Sequence, residues 1–436
     1  MTYFKTTWAA LGAAILVAAC GGGGDGNQTP RVAFTSVVSF GDSLSDVGTY
    51  RIGPIAAAGG GRFTINPSVV TTPTVWPEFL AAQLGLTSCA ARNGYGSVNI
   101  PVSGCRNYAQ GGARVTDPVG PGHADGALTQ PIVIQLANYA ADNNADTFTS
   151  KQLVTVLAGA NDIFGLTAKL AVDAAAVGTA AGNQTFAATL VGSLAAGAAN
   201  PTTAAQAIGL AMATESARVG HTDETVVGAA VAAAAAQTGN SAVGSPAVYG
   251  PLVAAAQAAA TTAGTAAGND YATHAGAAAA LTGMATAATE LAGYVKTNIV
   301  GKGAKYVVVS NLPDVSKTPD SLDQSASAQA LILAMTTTFN QYLAAGLANT
   351  PEVVLVDAFA NIQDQVLNPG RYGVTNVNTR ACDMTKVTSS LICNASTLIT
   401  GDTSHYLFAD GVHPTPYVHK LTAQLVLSYL AKAGWL

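Results

Sequence analysis

A serine near the start of the chain and a histidine–aspartate pair near its end are the residues best suited to chemistry. Ser43 stands in the run FGDSL at 40–44, and His413 lies three residues after Asp410. A serine hydroxyl is a weak nucleophile at neutral pH and needs an adjacent base. A histidine that a carboxylate holds through one ring nitrogen supplies that base through the other. If the two ends of the chain meet in space, these residues predict a Ser-His-Asp hydrolase.

Acyl transfer also needs N–H donors for the oxyanion that forms on the substrate, and three groups are candidates. One is the backbone N–H of Ser43 itself. Gly112, at the end of NYAQGG (107–112), presents its N–H without a Cβ in the way, and Asn161, in GAND (159–162), has a side-chain amide. Taken singly, Gly-Gly is most often a turn and Asn-Asp after a strand is most often a helix cap. Neither segment alone predicts an oxyanion hole.

Taken together and in order, four segments resemble the blocks of the SGNH, or GDSL-type, hydrolase family. They are GDSL at 41–44, NYAQGG at 107–112, GAND at 159–162 and DGVH at 410–413. The chain is similar to the secreted bacterial lipase and esterase branch, which is close to plant GDSL lipases, over residues 35–164 and 285–436. One departure is that Thr49 follows Gly48, where the branch commonly has asparagine.

The resemblance implies an esterase or lipase that hydrolyses carboxylic esters through an acyl-enzyme. Ser43 would attack the ester carbonyl, His413 would be the general base and Asp410 would orient it. The Ser43 N–H, the Gly112 N–H and the Asn161 side chain would form the oxyanion hole. The implied fold is a three-layer α/β/α flavodoxin-like sandwich with a parallel sheet, and no cofactor or metal is expected.

The elements that must position these residues can be read from the same sequence. Short apolar segments, each soon followed by Gly, Asn or Asp, predict strands at 36–40, within 98–108, and at 153–157, 305–310 and 353–356. Helical stretches alternate with them at 75–84, 282–299 and 326–347. This alternation predicts an α/β fold with a parallel sheet, in which ligands bind beyond the carboxyl ends of the strands.

Residues 165–280 are rich in Ala, Gly and Thr and predict a helical insertion within a single hydrolase domain spanning 35–436. We expect the helices to break at 182–183, 200–201 and 239–240. No stretch here reads as long and uninterrupted enough for a transmembrane helix. Because the insertion starts directly after Asn161, the hypothesis is that it forms a helical wall or lid that shapes the acyl pocket.

The first 20 residues predict a signal peptide, with Lys5 as a short positive region and an apolar stretch at 8–17. The sequence VAAC at 17–20 resembles a bacterial lipobox, in which Cys20 is lipidated and becomes the mature N-terminus. The alternative is an ordinary cleavage site beside a cysteine. Residues 21–34 would then be a flexible tether. We expect an exported bacterial protein, most simply an outer-membrane lipoprotein held by its N-terminal lipid anchor, and otherwise a secreted or periplasmic protein.

The remaining cysteines are even in number, as expected of an exported chain. Disulfides Cys89–Cys105 and Cys382–Cys393 are the simplest of three connectivities, and free or metal-bound thiols are the alternative. The chain has 49% hydrophobic and 10% charged residues and a net charge of -5, which disfavours a nucleic-acid partner. The expected partner is an ester or lipid substrate, and the oligomeric state is not indicated.

Several neighbouring residues compete with these assignments. His405 follows Asp402 by the same three residues, but only His413 stands in the Gly-Val-His-Pro context of the family's last block. The carboxylates beside the motifs, those of Asp42, Asp46 and Asp162, could be mistaken for catalytic acids but are expected to bind backbone N–H groups. The alternative functions are a phospholipase or acyltransferase that uses the same site, and a catalytically idle surface binding protein.

Overall fold

The computed structural model describes residues 32–96, 98–121, 129–143 and 147–436. The predicted signal peptide, Cys20 and most of the predicted tether lie outside the described residues. The strands within them are β1 (Ser36–Gly41), β2 (Arg92–Asn93), β3 (Ile100–Pro101), β4 (Gln152–Leu157), β5 (Tyr306–Ser310), β6 (Val353–Val356), β7 (Asn376–Arg380) and β8 (Tyr406–Phe408).

The helices alternate with these strands and include several that the sequence predicts closely. They are α1 (Gly53–Ala57), α2 (Trp76–Gln83), α3 (Ile132–Asp142), α4 (Ala160–Ala195), α5 (Pro201–Ser216), α6 (Asp223–Ala235), α7 (Pro246–Thr273), α8 (Ala275–Tyr294), α9 (Pro319–Leu322), α10 (Ala326–Leu347), α11 (Ala358–Leu367) and α12 (Pro416–Lys432). A π-helical turn, Val295–Ile299, continues α8.

The central sheet is parallel, with β1, β4, β5 and β6 side by side in that order. The predicted second strand is reduced to a segment at 106–110 that runs beside the free edge of β1. There Tyr108 donates its N–H to the carbonyl of Ser39 at 2.7 Å, and Gln110 donates to that of Gly41 at 3.1 Å. Counting this segment as the second strand, the order is the flavodoxin-like 2-1-3-4-5. The predicted α/β/α fold class is confirmed.

Helices cover both faces of the sheet. Successive residues of a strand point to opposite faces, and both sets are buried under these helices. Val38 and Phe40 of β1 pack into a core that α3, α8 and α10 complete. Val37, from the same strand, packs into a second core with α2 and α12. These two cores make the three layers.

The 165–280 segment is helical, as predicted, and two of its three predicted breaks are present, including that at 239–240, which lies between the end of α6 at Ala235 and a 3₁₀ turn that begins at Ser241. Helix α4 continues for 36 residues through Gly182-Asn183, so the predicted break there is wrong, because the alanines on either side favour helix. The break at 200–201 is present, where the Asn200 side chain caps α5 and Pro201 occupies its first turn. By length and composition alone, α4 would suffice to cross a membrane, contrary to the sequence-based expectation.

Helices α4 and α7 form an antiparallel pair that glycines bring close together. A Cβ placed on Gly178 would lie 2.8 Å from the carbonyl oxygen of Gly264, and one on Gly182 would lie 3.2 Å from that of Ala260. The far end of the pair has a small core of its own with α5 and α6, which includes Leu194. The insertion is therefore a helical arm that packs largely on itself.

Candidate active site

The structure brings the two ends of the chain together at the carboxyl end of β1. Ser43 follows the strand by two residues, and its hydroxyl lies 2.9 Å from Nε2 of His413. Nδ1 of His413 lies 2.9 Å from both carboxylate oxygens of Asp410. An ionised carboxylate only accepts hydrogen bonds, so Nδ1 carries the proton and Nε2 is left to accept one from Ser43. This geometry can activate the serine hydroxyl.

The turn that presents Ser43 needs a glycine before it. A Cβ on Gly41 would lie 2.5 Å from the carbonyl oxygen of Leu157, at the end of the neighbouring strand. The Gln135 side chain fixes the same residue from helix α3, since it accepts the Gly41 N–H at 2.8 Å and donates to its carbonyl at 2.7 Å. No sequence motif marks Gln135. Its contribution depends on α3 packing beside β1.

The loop that carries the histidine is held by the aspartate's remaining bonds. Asp410 is buried, at 4% exposure, and its Oδ1 accepts the N–H groups of Val412 and His413. Its Oδ2 accepts the N–H of Ser390 at 2.8 Å. The Asp410 carboxylate thereby fixes both the histidine backbone and the histidine ring.

Opposing effects set the protonation of this pair. Burial alone would raise the pKa of Asp410, but the charge of His413 and the hydrogen bonds from His413 and Ser390 outweigh it and lower the pKa. Burial alone would lower the pKa of His413, but the charge of Asp410 and their hydrogen bond outweigh it and raise the pKa. Asp42 and Asp320 raise it further. The protonated form of the His413 ring is therefore stabilised.

The predicted oxyanion groups lie around the same cavity as Ser43 and His413. Gly112 and Asn161 both line it, and Gly112 has a φ of 79°, a conformation that favours glycine. Among the described residues, neither the Ser43 N–H nor the Gly112 N–H has a hydrogen-bond acceptor. Asn161 gives one amide hydrogen to the carbonyl of Ala113 at 2.9 Å, which leaves the second for a ligand. At residues that line the cavity, three N–H donors are thus without an acceptor among the described residues.

Asp46 ties the serine turn to the glycine segment. Its Oδ1 accepts the N–H of Thr49 at 2.7 Å and its Oδ2 accepts that of Gly111 at 3.0 Å. Thr49 and Tyr50, which follow Gly48 where the sequence departs from the family pattern, add to this link. Thr49 donates its hydroxyl to the carbonyl of Ala109, and Tyr50 donates to that of Gly111 at 2.6 Å. The backbone-binding role expected for Asp46 is confirmed.

Asp162 and Asp42 also bind backbone groups, but Asp42 does so incompletely. Asp162 accepts the N–H of Val115 at 3.0 Å and pairs with Arg114. Asp42 accepts the N–H of Leu44 through Oδ1, while its buried Oδ2 has no partner among the described residues. Burial raises the pKa of Asp42 to about 7. The sequence predicted Asp42 as a backbone-binding carboxylate but not that one of its oxygens, beside Ser43, would be buried without a partner.

His405, the rival of His413, and the buried His419 do not line the cavity beside Ser43, and both have structural contacts. Nδ1 of His405 lies 2.8 Å from the carbonyl oxygen of Gly373, and its ring stacks on Tyr417. His419 accepts the N–H of Trp76 at 3.4 Å, and burial lowers its pKa to about 3. The choice of His413 over His405 agrees with this geometry.

Both predicted disulfides are present. Cys89 pairs with Cys105, and Cys382 pairs with Cys393. The second closes the loop whose Ser390 N–H binds Asp410. It therefore stabilises the support of the histidine loop.

The insertion does not reach the cavity. Ala160, Asn161 and Phe164, in the first turns of α4, line it, but among the described residues none of 165–280 does. Helix α4 leads the chain away before the alanine-rich stretch begins to pack on itself. The prediction that the insertion forms a wall or lid of the acyl pocket is therefore wrong for this structure.

The sequence of the chain also matches known proteins. The model of the GDSL-like lipase/acylhydrolase family matches residues 37–200 and 182–426. A GDSL esterase/lipase of Arabidopsis thaliana is 28% identical over 71 residues, which is 16% of this chain and 19% of that protein. The matched stretch thus spans only about a fifth of that relative's length.

Proposed function

Because the chain belongs to the GDSL-like lipase/acylhydrolase family, we propose that it is a serine esterase or lipase that cleaves carboxylic esters through an acyl-enzyme on Ser43. The observation that carries the proposal is the continuous contact from serine to aspartate. Oγ of Ser43 lies 2.9 Å from Nε2 of His413, and Nδ1 of His413 lies 2.9 Å from Asp410.

The reaction then has two halves. In the first, His413 takes the hydroxyl proton while Oγ of Ser43 attacks the ester carbonyl, and it gives that proton to the leaving alcohol. In the second, His413 takes a proton from water, which attacks the acyl-enzyme, and returns it to Ser43 as the acid leaves. The N–H groups of Ser43, Gly112 and Asn161 stabilise the oxyanion of both tetrahedral intermediates. Asp410 stays ionised and holds the imidazolium.

A fluorophosphonate probe tests the nucleophile directly, because it reacts only with an activated serine. We expect labelling of the wild type and of Ser428→Ala, a control in which an exposed serine on α12 is removed, and none of Ser43→Ala. Hydrolysis of p-nitrophenyl butyrate should follow the same pattern. Failure of the folded wild type to react with either reagent would contradict the proposal and favour a catalytically idle surface protein.

We also propose that the protein is exported and anchored in the outer membrane by a lipid on Cys20. The support is the apolar stretch at 8–17, the sequence VAAC at 17–20 and the glycines that follow. Expression of the full chain in a Gram-negative host with labelled palmitate should give a labelled outer-membrane band. Cys20→Ser should lose the label. If the wild type is exported without the label, lipidation at Cys20 is contradicted and an ordinary signal peptide is indicated instead.

A further inference from the structure

The cavity beside Ser43 is small and mostly apolar. It has a volume of about 220 Å³, and its walls include Phe63, Phe164, Val315, Ile362 and Val412. The Phe63 ring lies 5.0 Å from the imidazole of His413, centroid to centroid. Apolar walls this close to the reacting atoms stabilise a hydrocarbon chain by removing its surface from water.

The charged groups around the cavity are acidic. Asp42 and Asp314 line it, and no lysine or arginine does so among the described residues. Asp314 is buried and its oxygens accept hydrogen bonds from Ser316 and Gln363. An anionic group on a bound chain would lose its hydration and meet no positive charge in exchange. The lining therefore favours an uncharged chain.

A second, smaller cavity of about 50 Å³ adjoins the first, and the two share Leu44, Pro313, Ile362 and Pro414 as lining residues. Of these four shared residues, Leu44 and Pro414 are next to Ser43 and His413 in the sequence. Of the other two, Ile362, which lies on α11 and is 8% exposed, has the larger side chain that a substitution can shorten. The smaller cavity is partly polar. Its lining includes Gln365 and His419, whose Oε1 and Nε2 atoms have no partner among the described residues.

We propose that the cavity beside Ser43 binds the acyl chain of an uncharged ester of up to about eight carbons, and that Ile362 sets this limit. The length follows from the volume, since a methylene group fills about as much space as a water molecule, about 30 Å³. The 220 Å³ cavity then holds about seven carbons beyond the carbonyl carbon at Ser43. This inference rests on the proposed function and specifies its substrate.

A series of p-nitrophenyl esters tests the length. With acetate, butyrate, octanoate, dodecanoate and palmitate, kcat/KM should peak at octanoate and fall about tenfold or more at palmitate. Ile362→Ala should move the peak to dodecanoate, because it joins the two cavities. Ile362→Phe should move it to butyrate, because it fills the end of the first.

Ile332→Ala is the matched control. Ile332 has nearly the same exposure, 9%, but lies on α10 in the core and does not line the cavity. It should lower thermal stability as Ile362→Ala does and leave the peak at octanoate. A peak that stays at octanoate in folded Ile362→Ala and Ile362→Phe would overturn the role of Ile362.

The charge requirement is tested with p-nitrophenyl hydrogen succinate against p-nitrophenyl butyrate, which has the same four-carbon backbone. We expect kcat/KM to be about tenfold or more lower for the anionic ester. Equal values, or a wild type most active on palmitate, would overturn the inference while fluorophosphonate labelling of Ser43 still supports the proposed function. Absence of both labelling and hydrolysis would overturn the proposed function itself.

Discussion

The α/β body, which is the domain outside residues 165–280, and the helical insertion at 165–280 pack their interiors in different ways. The body buries large side chains, such as Trp76, Phe40 and Phe339, on both faces of a parallel sheet. The insertion brings helix backbones together at glycines, as where a Cβ on Gly178 would lie 2.8 Å from the carbonyl oxygen of Gly264. The body's packing leaves turns of defined shape at the strand ends, whereas the α4–α7 contact needs only small residues at a regular spacing.

The two regions also differ in how their polar groups are used. In the body, buried carboxylates such as Asp46 and Asp410 join segments that are far apart in the sequence. In α4 and α7, several threonine hydroxyls bond within their own helix, as from Thr179 to the carbonyl of Ala175. The buried carboxylates that join distant segments around Ser43 and His413 therefore lie in the body, whereas long-range bonds in the insertion, such as that from Asn240 to the carbonyl of Leu194, hold its own helices together. We expect substitutions to separate activity from stability along the same division.

The largest effect should come from the base. His413→Ala should lower kcat on the order of 10⁶-fold and Asp410→Asn on the order of 10⁴-fold, because Asp410 acts only through the histidine ring. Steady-state kinetics on p-nitrophenyl butyrate measure both. Circular dichroism should show that both variants stay folded. Equal losses in kcat would mean that the aspartate does more than orient and stabilise the imidazolium.

In the insertion, the larger effect should be on stability. Gly178→Leu should destabilise the α4–α7 pair by about 1 to 3 kcal/mol, because its Cβ would lie 2.8 Å from a backbone oxygen. Hydrogen exchange in α4 and α7 should rise, while kcat/KM stays at the wild-type value.

The matched control for that substitution is Gly209→Ala. A Cβ on this helical glycine in α5 would meet nothing within 4 Å, so the variant should be as stable as the wild type or more so by up to about 1 kcal/mol. If Gly178→Leu left hydrogen exchange unchanged, the close approach of the two helices would not be what holds the arm together.

A smaller effect is expected from Asp42, on the pH dependence of kcat/KM. The raised pKa of His413 means that kcat/KM should rise with pH through a midpoint above the usual histidine value of 6.5, since only the neutral ring accepts the serine proton. Asp42→Asn should move this midpoint to lower pH, because the Asp42 charge helps to raise the His413 pKa. Asp402→Asn, an exposed carboxylate beside His405, is the control and should leave the midpoint unchanged.

The same substitution should change stability with a defined sign. The Asp42 carboxyl has a pKa of about 7 in the folded protein and an ordinary value of 3.8 in the unfolded chain. Its contribution to stability is therefore present at low pH and is lost as the pH rises through 7. Asp42→Asn should therefore raise the melting temperature relative to wild type at about pH 8 and much less at about pH 4. A benefit only at low pH would contradict the burial of an ionising group.

Much of the body could be predicted because its signals are local. Runs of β-branched residues that end in Gly, Asn or Asp mark the strands, and short motifs mark Ser43 and His413. Gln135 and Ile362 could not be predicted, because their contacts exist only once α3 and α11 have packed. The break expected at Gly182-Asn183 was wrong because the surrounding alanines outweigh two adjacent weak helix formers. The direction of α4 away from the cavity depends likewise on tertiary packing.

Only a small effect on activity is expected even from the largest change to the insertion. Gly182 and Ala260 face each other across the α4–α7 pair, so residues 184–259 can be replaced by a short glycine-containing turn without crossing the body. The deletion removes the distal core with Leu194 but no cavity-lining residue. We expect kcat/KM for p-nitrophenyl octanoate to change by less than about threefold, as for changes remote from a site. A loss of tenfold or more in a shortened chain that still unfolds cooperatively would mean that the arm acts on the site through the start of α4, which carries Asn161.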